Sequence, residues 1–129
     1  MKLHHIGVAV YSFDATVPFY EAQGYQKQVE IYDPEQNVEV CVLRHPISPC
    51  IELLAPHDVK SPINNILKET CVSPYHICYE VDDIEASFAE LKKEKFMPVS
   101  KIKVSNAFDN HKVCFFFKKD IGLIEIIEK

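Results

Sequence analysis

Pro74-Tyr75-His76-Ile77-Cys78-Tyr79-Glu80-Val81 reads as a buried strand that carries a histidine, and the chain holds a near copy of it. Leu3-His4-His5-Ile6-Gly7-Val8-Ala9-Val10 repeats the design. A displacement of 71 positions lays His5 on His76, Ile6 on Ile77, Val10 on Val81, Ala15 on Ala86 and Tyr25 on Phe96. A second echo closes each half, where Ile51-Glu52-Leu53-Leu54 matches Ile124-Glu125-Ile126-Ile127. Each half therefore opens on a strand His and ends on a strand Glu. An internal duplication of this kind predicts two similar modules.

Reading outward from these strands, Ser12 or Asp14 can cap a helix whose apolar stripe is Ala15, Phe19 and Ala22, with Gly24 as its terminator. Strands at about 25–33 and 37–44 flank the turn signal Asp33-Pro34-Glu35-Gln36-Asn37. The strand Cys50–Leu54 follows, closed by Ala55-Pro56. Ser61-Pro62 then fits an N-cap with proline at the first helical position, opening a short helix with Ile63, Ile66 and Leu67. Beyond the second His strand, Asp82-Asp83 caps a helix with Ile84, Phe88 and Leu91 on one face. Strand-like segments at about 96–103, 111–117 and 121–128 complete the second half.

The order per half is β-α-β-β-β, which predicts an α+β fold: two tandem βαβββ modules forming a curved mixed sheet around a cleft. One domain over residues 1–129 is expected, with module 1 at about 1–57, a connector at about 58–73 and module 2 at about 74–129. The apolar fraction of 47% and charged fraction of 26% are those of a globular protein. A net charge of −5 argues against nucleic-acid or anionic-membrane partners, which require clustered Lys and Arg. The chain begins on a strand-like segment and holds no membrane-length apolar run, so neither a signal peptide nor a membrane span is expected. Five cysteines without a Cys-x-x-Cys pair, three of them inside apolar strand runs, read as reduced thiols in a cytoplasmic protein.

Strand alternation assigns faces to the repeated polar residues. Ile51 and Leu53 oppose Glu52, and Ile124 and Ile126 oppose Glu125, so His5, Glu52, His76 and Glu125 fall on the sheet face turned away from the helices. A carboxylate on a strand of Ile and Leu is costly unless it is paired or metal-bound. A lone strand His is an ordinary core residue and a lone strand Glu an ordinary edge residue; all four placed in duplicate point to a metal site. Two imidazoles and two carboxylates suit Zn, Ni, Co, Mn or Fe(II).

The segments His5-Ile-Gly-Val-Ala-Val with Phe19-Tyr20, Ile51-Glu-Leu-Leu-Ala-Pro, Tyr75-His-Ile-Cys-Tyr-Glu-Val-Asp-Asp-Ile and Gly122-Leu-Ile-Glu-Ile-Ile-Glu resemble the vicinal oxygen chelate superfamily. Glyoxalase I, methylmalonyl-CoA epimerase, extradiol dioxygenases and fosfomycin or bleomycin resistance proteins belong to it. The resemblance spans essentially the whole chain. It implies paired modules around one divalent ion (Ni, Zn or Co) in a U-shaped cleft, with His5, Glu52, His76 and Glu125 as ligands. It also implies proton transfer through an enediolate, Glu125 serving as base as well as ligand, and a homodimer. Glu39 matches a position used as a second acid/base in some bacterial epimerases.

Among the relatives, the four-residue ligand set matches bacterial glyoxalase I, which isomerises a methylglyoxal–thiol hemithioacetal. The alternative is epimerisation of a 2-methylmalonyl thioester carried on coenzyme A, with a non-catalytic drug-binding protein third. Ser61-Pro62-Ile63 and Phe117-Lys118-Lys119-Asp120 look epimerase-like. Ser105–Lys112, however, lacks the glycine-rich loop of epimerases, and the only arginine is Arg44. The expected partner is thus a small-molecule thiol adduct or an acyl-CoA.

Overall fold

The computed structural model describes residues 1–129. The chain runs β1 (Lys2–Ala9), α1 (Phe13–Glu21), β2 (Gln26–Asp33), β3 (Val38–Arg44), β4 (Cys50–Pro56), α2 (Ile63–Thr70), β5 (Ser73–Val81), α3 (Ile84–Lys93), β6 (Met97–Pro98), β7 (Lys103–Ser105), a 3-10 turn (Asn106–Phe108), β8 (His111–Lys118) and β9 (Gly122–Glu128). Parallel and antiparallel pairings occur together, so the expected α+β class with a mixed sheet holds. No helix is long and apolar enough to cross a membrane. The chain divides into two compact units, one of residues 5–75 and one of residues 1–4 with 76–129.

In the 5–75 unit the strand order is β2-β3-β4-β1, with β1 parallel to β4 and the outer pairs antiparallel. The core lies on one face of these strands. Val8, Val10, Cys41, Leu43, Ile51, Leu53 and Ala55 form it, and Phe13, Val17 and Tyr20 of α1 pack against it. The helix stripe is thus Phe13-Val17-Tyr20 rather than Ala15-Phe19-Ala22. Phe19 is 65% exposed and sits edge-on to Tyr20. Pro18 interrupts the ladder inside α1, and no α1 residue is fully buried. Gly24 takes φ +97, where an added Cβ would lie 2.9 Å from the His45 ring. That ring closes the next turn, its Nε2 donating to Gln23 O at 2.9 Å while its Nδ1 accepts from the Ser48 amide at 3.1 Å.

In the other unit the order is β5-β9-β8-β6, with β5 parallel to β9 and β7 paired on β8. Val81, Ile84, Leu91, Cys114, Phe116, Ile124 and Ile126 form its core, joined by Tyr79 and Phe88. Here the expected helix face is correct, because Ile84 and Leu91 are the buried residues of α3. Asp83 caps that helix by accepting from the Ala86 amide at 2.9 Å. Glu128 Oε2 accepts from the Ile84 amide at 3.0 Å and ties the end of β9 to the same helix start. The single strand expected over 96–103 is two fragments. Pro98 supplies no donor to the ladder, and Lys95 before it holds φ 71.

Candidate functional site

Two half-sites emerge, one per unit, and each is built by a parallel strand pair. In the first, Gly7 of β1 is the cross-strand partner of Glu52 on β4, and Cys50 is the partner of His5. His5, Gly7, Cys50, Glu52 and Leu54 therefore share the face opposite the helix-side core. His5 is fully buried and Glu52 is 6% exposed. Their Nε2 and Oε1 atoms lie 3.5 Å apart.

In the second, Cys78 of β5 is the partner of Glu125 on β9. The offset is the same: in both units the Glu pairs with the residue two places after the His. His76 Nε2 and Glu125 Oε1 lie 3.8 Å apart, both buried. Phe115 of β8 stands across from Glu125 and meets the His76 ring edge-to-face at 5.2 Å. Behind this pair, Ile124 and Ile126 press into the core under α3 and fix the strand that presents Glu125.

A buried carboxylate among Ile, Phe and Val is stable only with strong compensation. At 3.5 and 3.8 Å the His–Glu separations exceed a hydrogen bond, which for a donor nitrogen to oxygen falls at about 2.7–3.2 Å. Two donors each about 2.1 Å from one tetrahedral ion stand roughly 3.4 Å apart. Within each unit, donor type, burial and spacing therefore suit a pair of ligands to a divalent ion better than an internal ion pair.

Cys50 and Cys78 lie on these same faces, which the sequence reading missed. The signal was alternation within a single strand, Cys50 standing two places before Glu52 and Cys78 two places after His76. Burial pushes the Cys50 thiol up to about 11, with Glu52 adding to the rise, so it stays protonated and does not compete as a thiolate ligand. All five cysteines are free, and only Cys71 is exposed.

Glu39 does not join this face. Its partner on β4 is Ala55, a helix-side core residue, whereas Glu52 pairs with Val42. Glu39 Oε1 instead contacts His57 Nδ1 at 3.1 Å, and His57 stacks on Tyr32 at 4.0 Å. Glu39 therefore lies on the strand face opposite that of Glu52. His4 packs edge-on against Phe108 at 5.2 Å. His111 Nδ1 donates to Glu128 O at 2.8 Å, and Lys112 reaches Glu85 at 3.1 Å, so both serve the α3 and β9 ends.

Comparison with known proteins joins these observations. The human mitochondrial methylmalonyl-CoA epimerase is 33% identical over 129 residues, covering 97% of this chain and 72% of its own length. The ethylmalonyl-CoA/methylmalonyl-CoA epimerase of Cereibacter sphaeroides is 34% identical over 94 residues, 71% of this chain and 69% of that one. The crystal structure of methylmalonyl-CoA epimerase from Mycobacterium tuberculosis superposes with a TM-score of 0.87 at 26% identity, covering 98% of this chain and 87% of the other. These homologues are epimerases, an isomerase family of enzymes. Residues 4–115 match the family described as the Glyoxalase/Bleomycin resistance protein/Dioxygenase superfamily. With a mixed sheet, three helices and a buried His–Glu pair in each half, the chain belongs to that superfamily.

Proposed function

We propose that this chain is a metal-dependent epimerase that moves the α-proton of a 2-methylmalonyl-type thioester. The observation that carries the reading is the buried His–Glu pair repeated at one register, on a chain whose relatives are methylmalonyl-CoA epimerases. Members of the superfamily usually hold a divalent metal. In the proposal His5, Glu52, His76 and Glu125 converge on one such ion within a single domain, and Zn, Ni and Co suit the donor set. When bound, the ion would draw charge from the thioester oxygen and so ease loss of the neighbouring proton.

The chain's own residues supply the rest. His5 and His76 are held by strands whose opposite faces are locked in core, which fixes the rings. Glu125 accepts the α-proton, and Phe115 beside it keeps the carboxylate out of bulk water. Glyoxalase-type isomerisation of a hemithioacetal takes second place, because the relatives named above are epimerases.

The deciding experiment is NMR in deuterated buffer with the Zn- or Co-loaded protein. Methylmalonyl-CoA should exchange its α-proton and epimerise, with activity lost on chelation and restored by the ion. Conversion of methylglyoxal with a thiol, and no exchange in the acyl-CoA, would transfer the chain to the lyase branch. A homodimer belongs to the same proposal and is checked by analytical ultracentrifugation.

A further inference from the structure

On the Glu125 face of β6, β8, β9 and β5, side chains line up in rows across the strands. Met97 is the cross-strand partner of Phe117, and Phe117 is the partner of Leu123. The β5–β9 register, which pairs Ile77 with Ile124, sets His76 opposite Leu123. One row therefore runs Met97–Phe117–Leu123–His76, from the outer edge of the strands to the buried imidazole. Beside it lies the row of Phe115 and Glu125, which Val99 joins through its amide, donating to Phe115 O at 2.9 Å. Met97 is 60% exposed and Phe117 40%, whereas Cys114, Phe116 and Ile124, on the opposite face of the same strands, are buried. The matching row of the other unit is not apolar. There Gln26 pairs with Arg44, the register of Leu43 with Ile51 sets Arg44 opposite Cys50, and Cys50 pairs with His5.

Resting on the epimerase reading, we infer that the Met97–Phe117–Leu123 row is the platform for the uncharged pantetheine arm of the acyl-CoA substrate. Exposed apolar residues scattered singly are ordinary, but these stand next to one another and no charged side chain interrupts them. From Leu123 to Met97 the row crosses two strand spacings, roughly 10 Å, which suits an extended chain. Its inner end meets His76, beside the group that the epimerase reading sets against the thioester. Its outer end opens at the strand edge and leaves the nucleotide of the carrier in water. The Phe117 ring and the adaptable Met97 thioether offer apolar surface to the methyl and methylene groups of the arm. A protein partner fits the row poorly. Stable interfaces use about 20–30 residues a side, and Met97, Phe117, Leu123 and Val99 are four.

The test compares two methylmalonyl thioesters on the metal-loaded protein, one of pantetheine and one of N-acetylcysteamine, which lacks the outer part of the arm. Met97→Asp places a charge on the row at an exposed position. It should lower kcat/KM for the pantetheine ester relative to the short ester by roughly tenfold, a factor that burial of one such side chain can supply. Met97→Leu should keep the original ratio. Val104→Asp is the control, because Val104 is also exposed but pairs with Lys112 and so lies on the opposite face. An unchanged ratio in Met97→Asp, or an equal fall in Val104→Asp, would overturn the inference. A wild-type dimer that Met97→Asp splits would give the row to a second copy and overturn it as well. A binding measurement separates this placement from the epimerase reading. S-propionyl-pantetheine titrated into the metal-free protein should shift the Met97 methyl and Phe117 ring signals in NMR. Those shifts without turnover of either ester would sink the epimerase reading and keep the placement; turnover of both esters without the shifts would do the reverse.

Discussion

The two halves of this chain agree where the His and Glu stand and differ almost everywhere around them. In both, a parallel strand pair sets the Glu beside the residue two places after the His. Outside that pair the first half keeps a full ladder, with β2 and β3 running eight and seven residues, and lays a weakly anchored helix on it. The second half has the reverse, a firmly anchored α3 and an outer edge reduced to strands of two and three residues. Across from Glu52 stands Val42; across from Glu125 stands Phe115. Parts that position donors are held fixed, while parts that only cover the core have diverged. The two carboxylates should accordingly differ in role although they share a register.

The sharpest way to break that comparison is to neutralise each carboxylate in turn. Glu125→Gln should cut α-proton exchange by about 10²–10⁴-fold, the usual worth of a general base. Glu52→Gln should act chiefly on metal retention, by at least the ~10–100-fold that losing a supporting partner of a metal ligand costs. Zinc titration and exchange rates on both variants decide it. Equal loss of exchange at saturating zinc would give the two carboxylates one role and end the asymmetry.

The helices offer the next contrast. Ile84 on α3 is fully buried, whereas Val17 on α1 is half-buried and packs against its core. Ile84→Ala should cost about 2–5 kcal/mol and Val17→Ala well under half of that, read from urea midpoints. Hydrogen exchange should show α1 opening before α3.

The contrast in cysteines concerns pH. In the first half, burial raises both Cys41 and Cys50 to about 11. Well below pH 9 the thiols are protonated in both folded and unfolded chains and contribute nothing to the pH dependence. Between the unfolded value of 9.0 and about 11 the unfolded chain releases protons that the folded chain retains, so stability falls as pH rises. Two pKa units correspond to roughly 2–3 kcal/mol per thiol at the upper limit. Cys50→Ala should flatten the fall between pH 8.5 and 10.5, and at pH 8 an alkylating reagent should label Cys71 alone until the chain unfolds.

What was legible in the sequence follows the same division. The faces of Glu52 and Glu125 were legible because alternation along a strand is local, and the neighbouring Ile and Leu residues mark the core side. The α3 stripe was legible for a similar reason, since Ile84, Phe88 and Leu91 are its only large apolar residues. On α1, Ala15-Phe19-Ala22 and Phe13-Val17-Tyr20 both fit a helix, and only packing against the buried core of that half chooses the second. Residue type and order single out Glu39, but a one-residue difference in register reverses a strand's faces, and Glu39 pairs with Ala55. The outer edge of the second half reads as one strand in sequence but forms two fragments, because the effect of Pro98 on pairing depends on which side the neighbour lies.

The smallest effect is the most direct measure of how far the halves have drifted. Each first helix is preceded by a residue with extended backbone and a side chain able to cap, Ser12 in one half and Asp83 in the other. Asp83 accepts from the Ala86 amide at 2.9 Å, while Ser12 makes no side-chain capping bond. Instead the Ser12 carbonyl accepts from Thr16 Oγ1 at 3.2 Å. Asp83→Ala should therefore cost about 1 kcal/mol, and Ser12→Ala only a few tenths, by thermal unfolding. Asp83 also places a carboxylate at the positive end of α3, so its loss should be smaller in high salt, whereas the Ser12 value should not change with salt. Equal costs at the two positions would mean that Ser12 caps in solution, and that α1 is held by the same local device as α3 despite its shallower packing.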